Sequence, residues 1–261
     1  MAPARGTRGA RGLDAIKGWF NEIDRRCFVA LLDSQRDSPP GVLVELGAFQ
    51  GKSAVVIGDY MREGERFVVV DLFGDQELFS ESMEDLANQR ENSRSYPGLT
   101  RLQFEQNYLS LHERLPVVVQ GFSSEVVDHV EPGTARFIHV DASHLYAAVK
   151  TDCESAKRLL RPGGVVAFDD YRNHRSPGVG AAVWEAVVTD GLIPVATTRK
   201  KMYACFDDPT PHQATLRAMV ADDPDFFEME EVEIRGRMMV RMSLSSQRGR
   251  HGDDEDDGDD A

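Results

Sequence analysis

Residues 44–53 read VELGAFQGKS, and the fold of the chain is predicted mainly from this segment. An apolar segment ends in Glu45, and a turn with Gly47 and Gly51 follows it. A second apolar run closes with Asp71, 26 residues after Glu45. In α/β folds, glycines in such a turn let a ligand approach the backbone, and an acid at the end of the second strand binds a ribose. The stretch therefore predicts an α/β fold with a nucleotide-type pocket.

The same turn indicates which ligand the pocket takes. It lacks the three glycines of the G-x-G-x-x-G pattern, which argues against a dinucleotide. The acid at the end of the first strand, Glu45, favours a smaller, cationic cofactor. S-adenosylmethionine fits, because it has one ribose, no phosphate, and a positively charged sulfonium and amine. We therefore predict S-adenosylmethionine as the cofactor.

Length and composition favour one catalytic domain. A chain of 261 residues with 41% apolar residues can bury one α/β core. We predict a disordered arm over 1–12, the domain over 13–245, and a disordered acidic tail over 246–261. The net charge is −14, and the tail contributes seven acids to it. No basic stripe is visible, so the sequence does not favour nucleic-acid binding.

The cysteines and the hydropathy of the chain indicate the cellular compartment of the protein. The three cysteines are an odd number without metal-like spacing, which favours a reduced cytoplasmic protein. The first residues lack the apolar segment of a secretory signal, and no apolar run approaches the roughly 18 residues of a membrane helix. We therefore expect a cytoplasmic protein without a membrane partner. The segment 228–244 reads as a hairpin or bent edge strand, which leaves a homo-oligomer open.

Strand-like and helix-like segments alternate along the chain. Strands are predicted at 42–46, 67–71, 117–119, 137–141, 165–169, 193–198 and 201–206, and helices at 14–36, 52–61, 100–114, 145–160, 178–190 and 211–222. Such alternation is typical of a parallel sheet with helices on both faces. We predict a Rossmann-like, doubly wound, mostly parallel seven-stranded sheet with an antiparallel edge strand. The polar segment 74–98 is long enough to form a lid or a binding loop.

Acids stand where the predicted strands end. Ligands bind outside the carboxyl ends of parallel strands, and Asp141, Asp169 and Asp170 follow two neighbouring ones. Three converging carboxylates repel one another unless a cation neutralises them. A hard divalent cation with oxygen ligands, Mg²⁺, is the natural counter-charge. We therefore predict these three acids as metal ligands; in the alternative, they end strands and cap turns without a metal.

Three segments carry a family resemblance. They are VELGAFQGKSAVVI at 44–57, FIHVDASHLY at 137–146 and LLRPGGVVAFDDY at 159–171. The chain resembles the class I S-adenosylmethionine-dependent methyltransferases over roughly residues 40–206. Within that class, it is similar to the catechol O-methyltransferase group and to the macrocin O-methyltransferase family, whose members methylate sugars of natural products.

The resemblance implies roles in cofactor binding. The residues that match the first motif, around the methionine part of the cofactor, are Glu45, Gly47, Gly51 and Ser53. Asp71 matches the ribose-binding acid, and Ser123 matches a small polar residue near the adenine. Structural roles stay open for some of them, since Glu45 or Gly51 can serve a turn and Ser53 can cap a helix.

The resemblance also implies the metal and the base. In both related families, the positions of Asp141, Asp169 and Asp170 bind a metal; the last one is asparagine in the catechol enzymes. His144 matches a lysine in that group and often a histidine in the sugar-modifying relatives. Its ordinary pKa near 6.5 suits proton abstraction, so we predict His144 as the general base. A loop histidine that contacts substrate is the alternative, and His139, inside its strand, is expected to pack.

The expected activity is methyl transfer from S-adenosylmethionine to a hydroxyl of a small metabolite. A sugar of a natural product and a catechol-like diol are both plausible acceptors, because a metal chelates two neighbouring oxygens and orients one of them. The alternatives are a metal-independent methyltransferase of the same fold and a non-methylating relative that keeps the cofactor pocket. A nicotinamide dehydrogenase is disfavoured by the missing glycine pattern.

Overall fold

The computed structural model describes residues 12–79, 86, 89–90, 93, 96 and 98–245. The predicted acidic tail and all of the predicted arm except Gly12 lie outside the described residues. The predicted lid over 74–98 is described only in part. No helix in these ranges combines the length and the apolar character that crossing a membrane requires.

One sheet organises the described chain. Its strands are β1 (Val42–Leu46), β2 (Phe67–Asp71), β3 (Val117–Gln120), β4 (Ala135–Val140), β5 (Leu160–Phe168), β6 (Ile193–Thr197), β7 (Met202–Cys205), β8 (Phe227–Ile234) and β9 (Arg237–Leu244). Their spatial order is β3-β2-β1-β4-β5-β7-β6-β9-β8. Strands β1 to β5 pair in parallel, and β7 lies antiparallel between β5 and β6. The predicted mostly parallel α/β sheet is therefore confirmed.

The sheet has nine strands in the described ranges where the sequence predicts seven. The additional two are β8 and β9, which form an antiparallel hairpin, and β9 continues the sheet by pairing in parallel with β6. The hairpin turn is Arg235-Gly236, with φ of 55° and 75°. Positive φ at both central residues is what a two-residue hairpin turn requires. The segment 228–244 thus extends the sheet, and its edge strand is β8.

Helices cover both faces of the sheet. They are α1 (Glu22–Ser34), α2 (Lys52–Gly58), α3 (Arg101–Leu109), α4 (Tyr146–Leu159), α5 (Pro177–Glu185) and α6 (Thr210–Asp222), with a 3-10 helix at Ser123–Asp128 and a π turn at Ala186–Asp190. The first predicted helix, 14–36, starts later than expected. Asn21 accepts a hydrogen bond from the backbone N–H of Asp24 at 2.8 Å, and this N-cap starts α1 at Glu22.

Two apolar layers enclose the sheet. Alternate residues of β1 face opposite layers, since Leu43 packs with Phe28 of α1, and Val44 packs in the layer that holds Val149 of α4. This alternation is the period-two pattern of a strand that is buried on both faces. The three cysteines are buried and unpaired, as the sequence predicts.

The strand order fixes where a ligand can bind. From β1 the chain proceeds outward to β2 and β3, and then returns to place β4 and β5 on the other side of β1. The boundary between β1 and β4 is therefore the topological switch point of the parallel part. In open α/β sheets the ligand crevice lies at this point, outside the carboxyl ends of the strands. The predicted site residues that follow β1 and β4 flank this crevice.

Candidate active site

The glycine turn after β1 is packed against the loop that follows β4. Gly47 has φ of +79°, and a Cβ atom built on it would lie 2.0 Å from the backbone oxygen of Asp141. The N–H of Asp141 donates to the carbonyl of Leu46 at 2.7 Å. A side chain at position 47 would therefore break this contact as well as strain the backbone. The contact joins the predicted cofactor half of the site to the predicted metal half.

Asp71, at the end of β2, holds the glycine turn by its carboxylate. Its Oδ2 accepts from the N–H groups of Ala48 at 2.6 Å and Phe49 at 2.9 Å, and its Oδ1 accepts from Phe73 at 2.6 Å. Burial raises the pKa of Asp71, and these three hydrogen bonds oppose that rise. Oδ2 uses both of its lone pairs in these contacts, whereas Oδ1 keeps a second lone pair for a ribose hydroxyl. Asp71 is thus suited to hold the glycine turn and to bind a ribose at the same time.

Glu45 is fully buried at the end of β1. Its Oε1 accepts from the hydroxyl of Ser53 at 2.5 Å and contacts Nδ1 of His139 at 2.8 Å. Its Oε2 has no hydrogen-bond partner among the described residues. Burial raises the pKa of Glu45 to about 8, against the lowering effects of Ser53 and Lys201. A buried carboxylate oxygen without a partner fits a cationic amine, the group that the predicted cofactor carries.

The other predicted cofactor residues begin elements near this turn. Gly51 has φ of +95° and is the N-cap of α2, so the helix is not capped by Ser53. Ser123 begins the 3-10 helix after β3, the neighbour of β2. Its hydroxyl interacts with Asp152, and burial raises the pKa of that acid to about 7. The roles of Gly51 and Ser123 in cofactor binding stay predictions.

Two of the three predicted metal ligands face one another. Asp141 and Asp169 follow the adjacent parallel strands β4 and β5. Together with His139 they place one ligand atom each within 4.8 Å of the others. Burial, and then repulsion from Asp169, raises the pKa of Asp141 well above its ordinary value. Crowded carboxylates of this kind fit a hard divalent cation.

Asp170 turns instead towards the predicted base. It has φ of 53°, and its Oδ2 lies 3.2 Å from Nε2 of His144. Its Oδ1 lies 3.8 Å from Nζ of Lys200. Burial alone would raise the pKa of Asp170, but the hydrogen bond and charge of His144, with Lys200, lower it. An ionised acid that orients a histidine is a common support for a general base. Metal ligation by Asp170 stays a prediction.

A buried lysine that the sequence did not single out completes the site. Nζ of Lys201, on the turn before β7, lies 2.5 Å from Oδ2 of Asp169 and 3.0 Å from Nε2 of His139. An ammonium only donates, so Nε2 of His139 is the acceptor of this hydrogen bond. The ring proton is therefore on Nδ1, which donates a hydrogen bond to Oε1 of Glu45. Burial, and then the charge of Lys201, lowers the pKa of His139 well below its ordinary value. His139 therefore links the two halves of the site and is more than a packing residue.

Asp24 is a second buried residue that the sequence did not single out. It is fully buried on α1, and its Oδ1 accepts from the hydroxyls of Thr198 and Tyr203, each at 2.8 Å. Burial raises the pKa of Asp24, while the charge of Lys201 lowers it. The sequence held a signal, because Asp24 stands three and four positions before the buried Cys27 and Phe28. An acid on the apolar face of a helix needs a buried partner.

Comparisons with known proteins agree with this architecture. Residues 44–171 match the family described as a methyltransferase domain. The solved structure of the O-methyltransferase NovP has a TM-score of 0.54 and 19% identity, over 69% of this chain and 79% of that chain. CalS11, a TDP-rhamnose 3'-O-methyltransferase of calicheamicin biosynthesis, has a TM-score of 0.47 and 19% identity, over 79% of this chain and 89% of that chain. No curated protein sequence matches the chain significantly.

The likeness to NovP shows that the two proteins share a fold. The family match covers most of the predicted site residues. The matched range 44–171 runs from the glycine turn through Asp71, Asp141 and the pair Asp169-Asp170. The resemblance that these motifs carry is thereby confirmed. Residues 44–171 match the methyltransferase-domain family, as the sequence predicts for a class I S-adenosylmethionine-dependent methyltransferase.

Proposed function

We propose that the protein methylates a hydroxyl oxygen of a small metabolite, either a sugar of a natural product or a catechol-like diol, with Mg²⁺ as a second cofactor. The contact between Gly47 and Asp141 carries this proposal, since it brings the glycine turn and the carboxylates after β4 and β5 to one crevice. NovP, which shares the fold, is described as an O-methyltransferase. That description supports oxygen as the atom that receives the methyl group.

The residues on the glycine-turn side bind the methyl donor. Oε2 of Glu45 receives the cationic amine, because it is buried without a partner in the described chain. Asp71 would accept a hydrogen bond from a ribose hydroxyl through Oδ1, and Ser123 would lie near the adenine. When bound, S-adenosylmethionine supplies an electrophilic methyl carbon, and Mg²⁺ supplies a Lewis acid at the acceptor oxygen.

The residues on the carboxylate side handle the acceptor. Asp141 and Asp169 hold the divalent cation, with Asp170 as the predicted third ligand. His144, oriented by Asp170 at 3.2 Å, takes the proton of the acceptor hydroxyl. The acceptor oxygen forms the new bond to the methyl carbon, and the electron pair of the broken carbon–sulfur bond stays on sulfur. Correct positioning alone can supply on the order of 7–11 kcal/mol towards such a displacement.

One observation favours a second form of the same reaction. The ammonium of Lys201 lies 2.5 Å from Oδ2 of Asp169 and already brings a positive charge to the carboxylates. A metal-independent methyltransferase, in which Lys201 serves as the counter-charge, is therefore the alternative.

A methyl-transfer screen tests the proposal. The purified protein is incubated with S-adenosylmethionine and a panel of catechols and glycosides, with Mg²⁺ or with EDTA, and the methylated product is detected by mass spectrometry. We expect product with Mg²⁺, its loss in EDTA, and its recovery when Mg²⁺ is added in excess. The variant Asp141→Asn should lose activity, whereas Asp128→Asn, at an exposed position that ends the 3-10 helix, should keep it within about twofold.

Two results would contradict parts of the proposal separately. Full turnover by metal-stripped protein in EDTA would remove Mg²⁺ from the reaction and leave the metal-independent form. A protein that binds NAD but not S-adenosylmethionine in calorimetry would remove methyl transfer altogether.

A further inference from the structure

The ammonium of Lys201 is buried among acceptor groups, unlike that of a surface lysine. Its side chain is buried, with about 2% exposed, and the neighbouring Lys200 is 34% exposed. Its Nζ contacts Oδ2 of Asp169 at 2.5 Å and Nε2 of His139 at 3.0 Å. A buried lysine needs partners of opposite charge, and the acids whose charges act on Lys201 are Asp169, Asp141 and Asp24.

The partners of Lys201 are also the atoms that suit a metal ion. His139, Asp141 and Asp169 form the group whose ligand atoms lie within 4.8 Å of one another. Nζ of Lys201 is within hydrogen-bond distance of two of these three residues, and its charge acts on the third. The ammonium therefore lies against the same oxygen and nitrogen atoms that a divalent cation would use.

Two positive charges in one buried cluster repel each other. The repulsion between unit charges a few ångströms apart is several-fold stronger in a protein interior than in water. A divalent cation at Asp169 must therefore displace the ammonium of Lys201 from Oδ2 or bind against its repulsion. His139 adds to this effect, because its Nε2 already accepts a hydrogen bond from Lys201 and cannot ligate a metal while it does so.

We propose that the ammonium of Lys201 and a divalent cation compete for Asp169, so that Lys201 sets how tightly the site binds metal. The competition rests on the metal site of the proposed function. Without metal, Lys201 neutralises the carboxylates and keeps them in place. With metal, the ammonium gives up Asp169. Lys201 is then a positioning residue for Asp169 and a determinant of metal affinity, separate from the base and from the methyl-donor pocket.

Direct metal binding to three proteins tests the competition. Mn²⁺ and Mg²⁺ are titrated by calorimetry into the wild type, Lys201→Met and Lys157→Met, without S-adenosylmethionine. Methionine keeps the length of the side chain and removes its charge. We expect Lys201→Met to bind the ion at least about tenfold more tightly than the wild type. Lys157→Met is the matched control, since its exposed ammonium, at the C-terminal end of α4, donates to the carbonyl of Asp190 and should alter affinity by less than about twofold.

Other outcomes overturn the proposal. Unchanged or weaker metal binding by Lys201→Met, with a native circular dichroism spectrum, shows that Lys201 does not compete. Lys201→Gln, which keeps a hydrogen-bond donor, should bind the ion as tightly as Lys201→Met, and it serves if the methionine variant does not fold. In the wild type, saturation with Mg²⁺ should shift the NMR signal of the Lys201 ε-methylene, and an unshifted signal also overturns the proposal.

The same samples separate this inference from the proposed function. S-adenosylmethionine binding by the wild type, measured in parallel, tests the methyl-donor pocket without any metal. Failure of the competition leaves that binding and the formation of methylated product unaffected. Failure of the proposed function appears instead as a wild type that binds no S-adenosylmethionine.

Discussion

Asp170 lies 3.2 Å from His144 through its Oδ2 and the Nε2 of the imidazole, although the two residues follow different strands. Asp170 adopts φ of 53°. A non-glycine residue in this left-handed region costs on the order of 1 kcal/mol, and such strain is concentrated at functional sites. The strained turn after β5 thereby aims a carboxylate at the predicted base after β4.

The first prediction concerns this base. His144→Ala should lower kcat at least about tenfold, because proton removal from the acceptor loses its base. The Kd for S-adenosylmethionine should stay within about twofold, since His144 lies on the acceptor side. The control is His129→Ala, at the end of the 3-10 helix and outside the site. Unchanged turnover in His144→Ala would make this histidine a bystander.

The second prediction concerns the ribose acid. Asp71→Asn replaces an oxygen that accepts from Ala48 and Phe49 by an amide that cannot hold both in the same way. We expect S-adenosylmethionine affinity to fall at least about tenfold, which corresponds to one or two lost charge-assisted hydrogen bonds. Calorimetry measures the affinity. Asp75→Asn, at an exposed contact with Gln120, is the matched control, and an equal loss in both variants would contradict the assignment.

The third prediction concerns pH and Glu45. Its folded-state pKa of about 8 lies above the ordinary 4.5, so the folded protein binds the proton more tightly than the unfolded chain. Stability from this group is therefore fully present below about pH 4.5 and is lost as pH rises through about 8. Glu45→Gln removes the ionisation, so its unfolding free energy should gain up to about 1.4 kcal/mol per pH unit on the wild type between pH 6 and 8. Urea unfolding of cofactor-free protein at several pH values measures this gain, and parallel pH profiles would rule it out.

The fourth prediction concerns a buried ion pair near the N-terminal ends of β2 and β4, at the end of the sheet opposite the site. Glu65 accepts from Nε and Nη2 of Arg136, each at 2.9 Å, and both side chains are almost fully buried. Glu65→Gln removes the negative charge that Arg136 shares with Arg62 and should lower the unfolding free energy by roughly 3 kcal/mol.

The matched control for this ion pair is a surface pair on α3. Glu105→Gln removes the contact of Glu105 with Arg101, which is 43% exposed, and should cost less than about 0.5 kcal/mol. Urea unfolding compares the two variants. Equal effects would show that the pair between Glu65 and Arg136 is no stronger than a surface contact.

The sequence was sufficient for the parallel core of the fold. Apolar runs and glycine turns act locally, so β1, β2 and β4 are found close to their predicted positions. Beyond β7 the sequence predicts less of the fold. It leaves a hairpin and a bent edge strand open for 228–244, and the structure has a hairpin that joins the sheet. Membership of β9 depends on a parallel pairing with β6, and no local pattern in 237–244 specifies that partner.

The residues that end the parallel strands can be read from the sequence alone, because strand periodicity and the glycine turn are local features. Glu45, Asp71, Asp141 and Asp169 follow from that pattern together with one rule about parallel sheets. The way in which their charges are compensated depends on contacts between distant parts of the chain. Lys201 meets Asp169 because β7 runs antiparallel beside β5, and His139 meets Glu45 because β4 lies beside β1. Burial then makes these pairings strong, and burial is a property of the assembled sheet that no segment of the sequence carries alone.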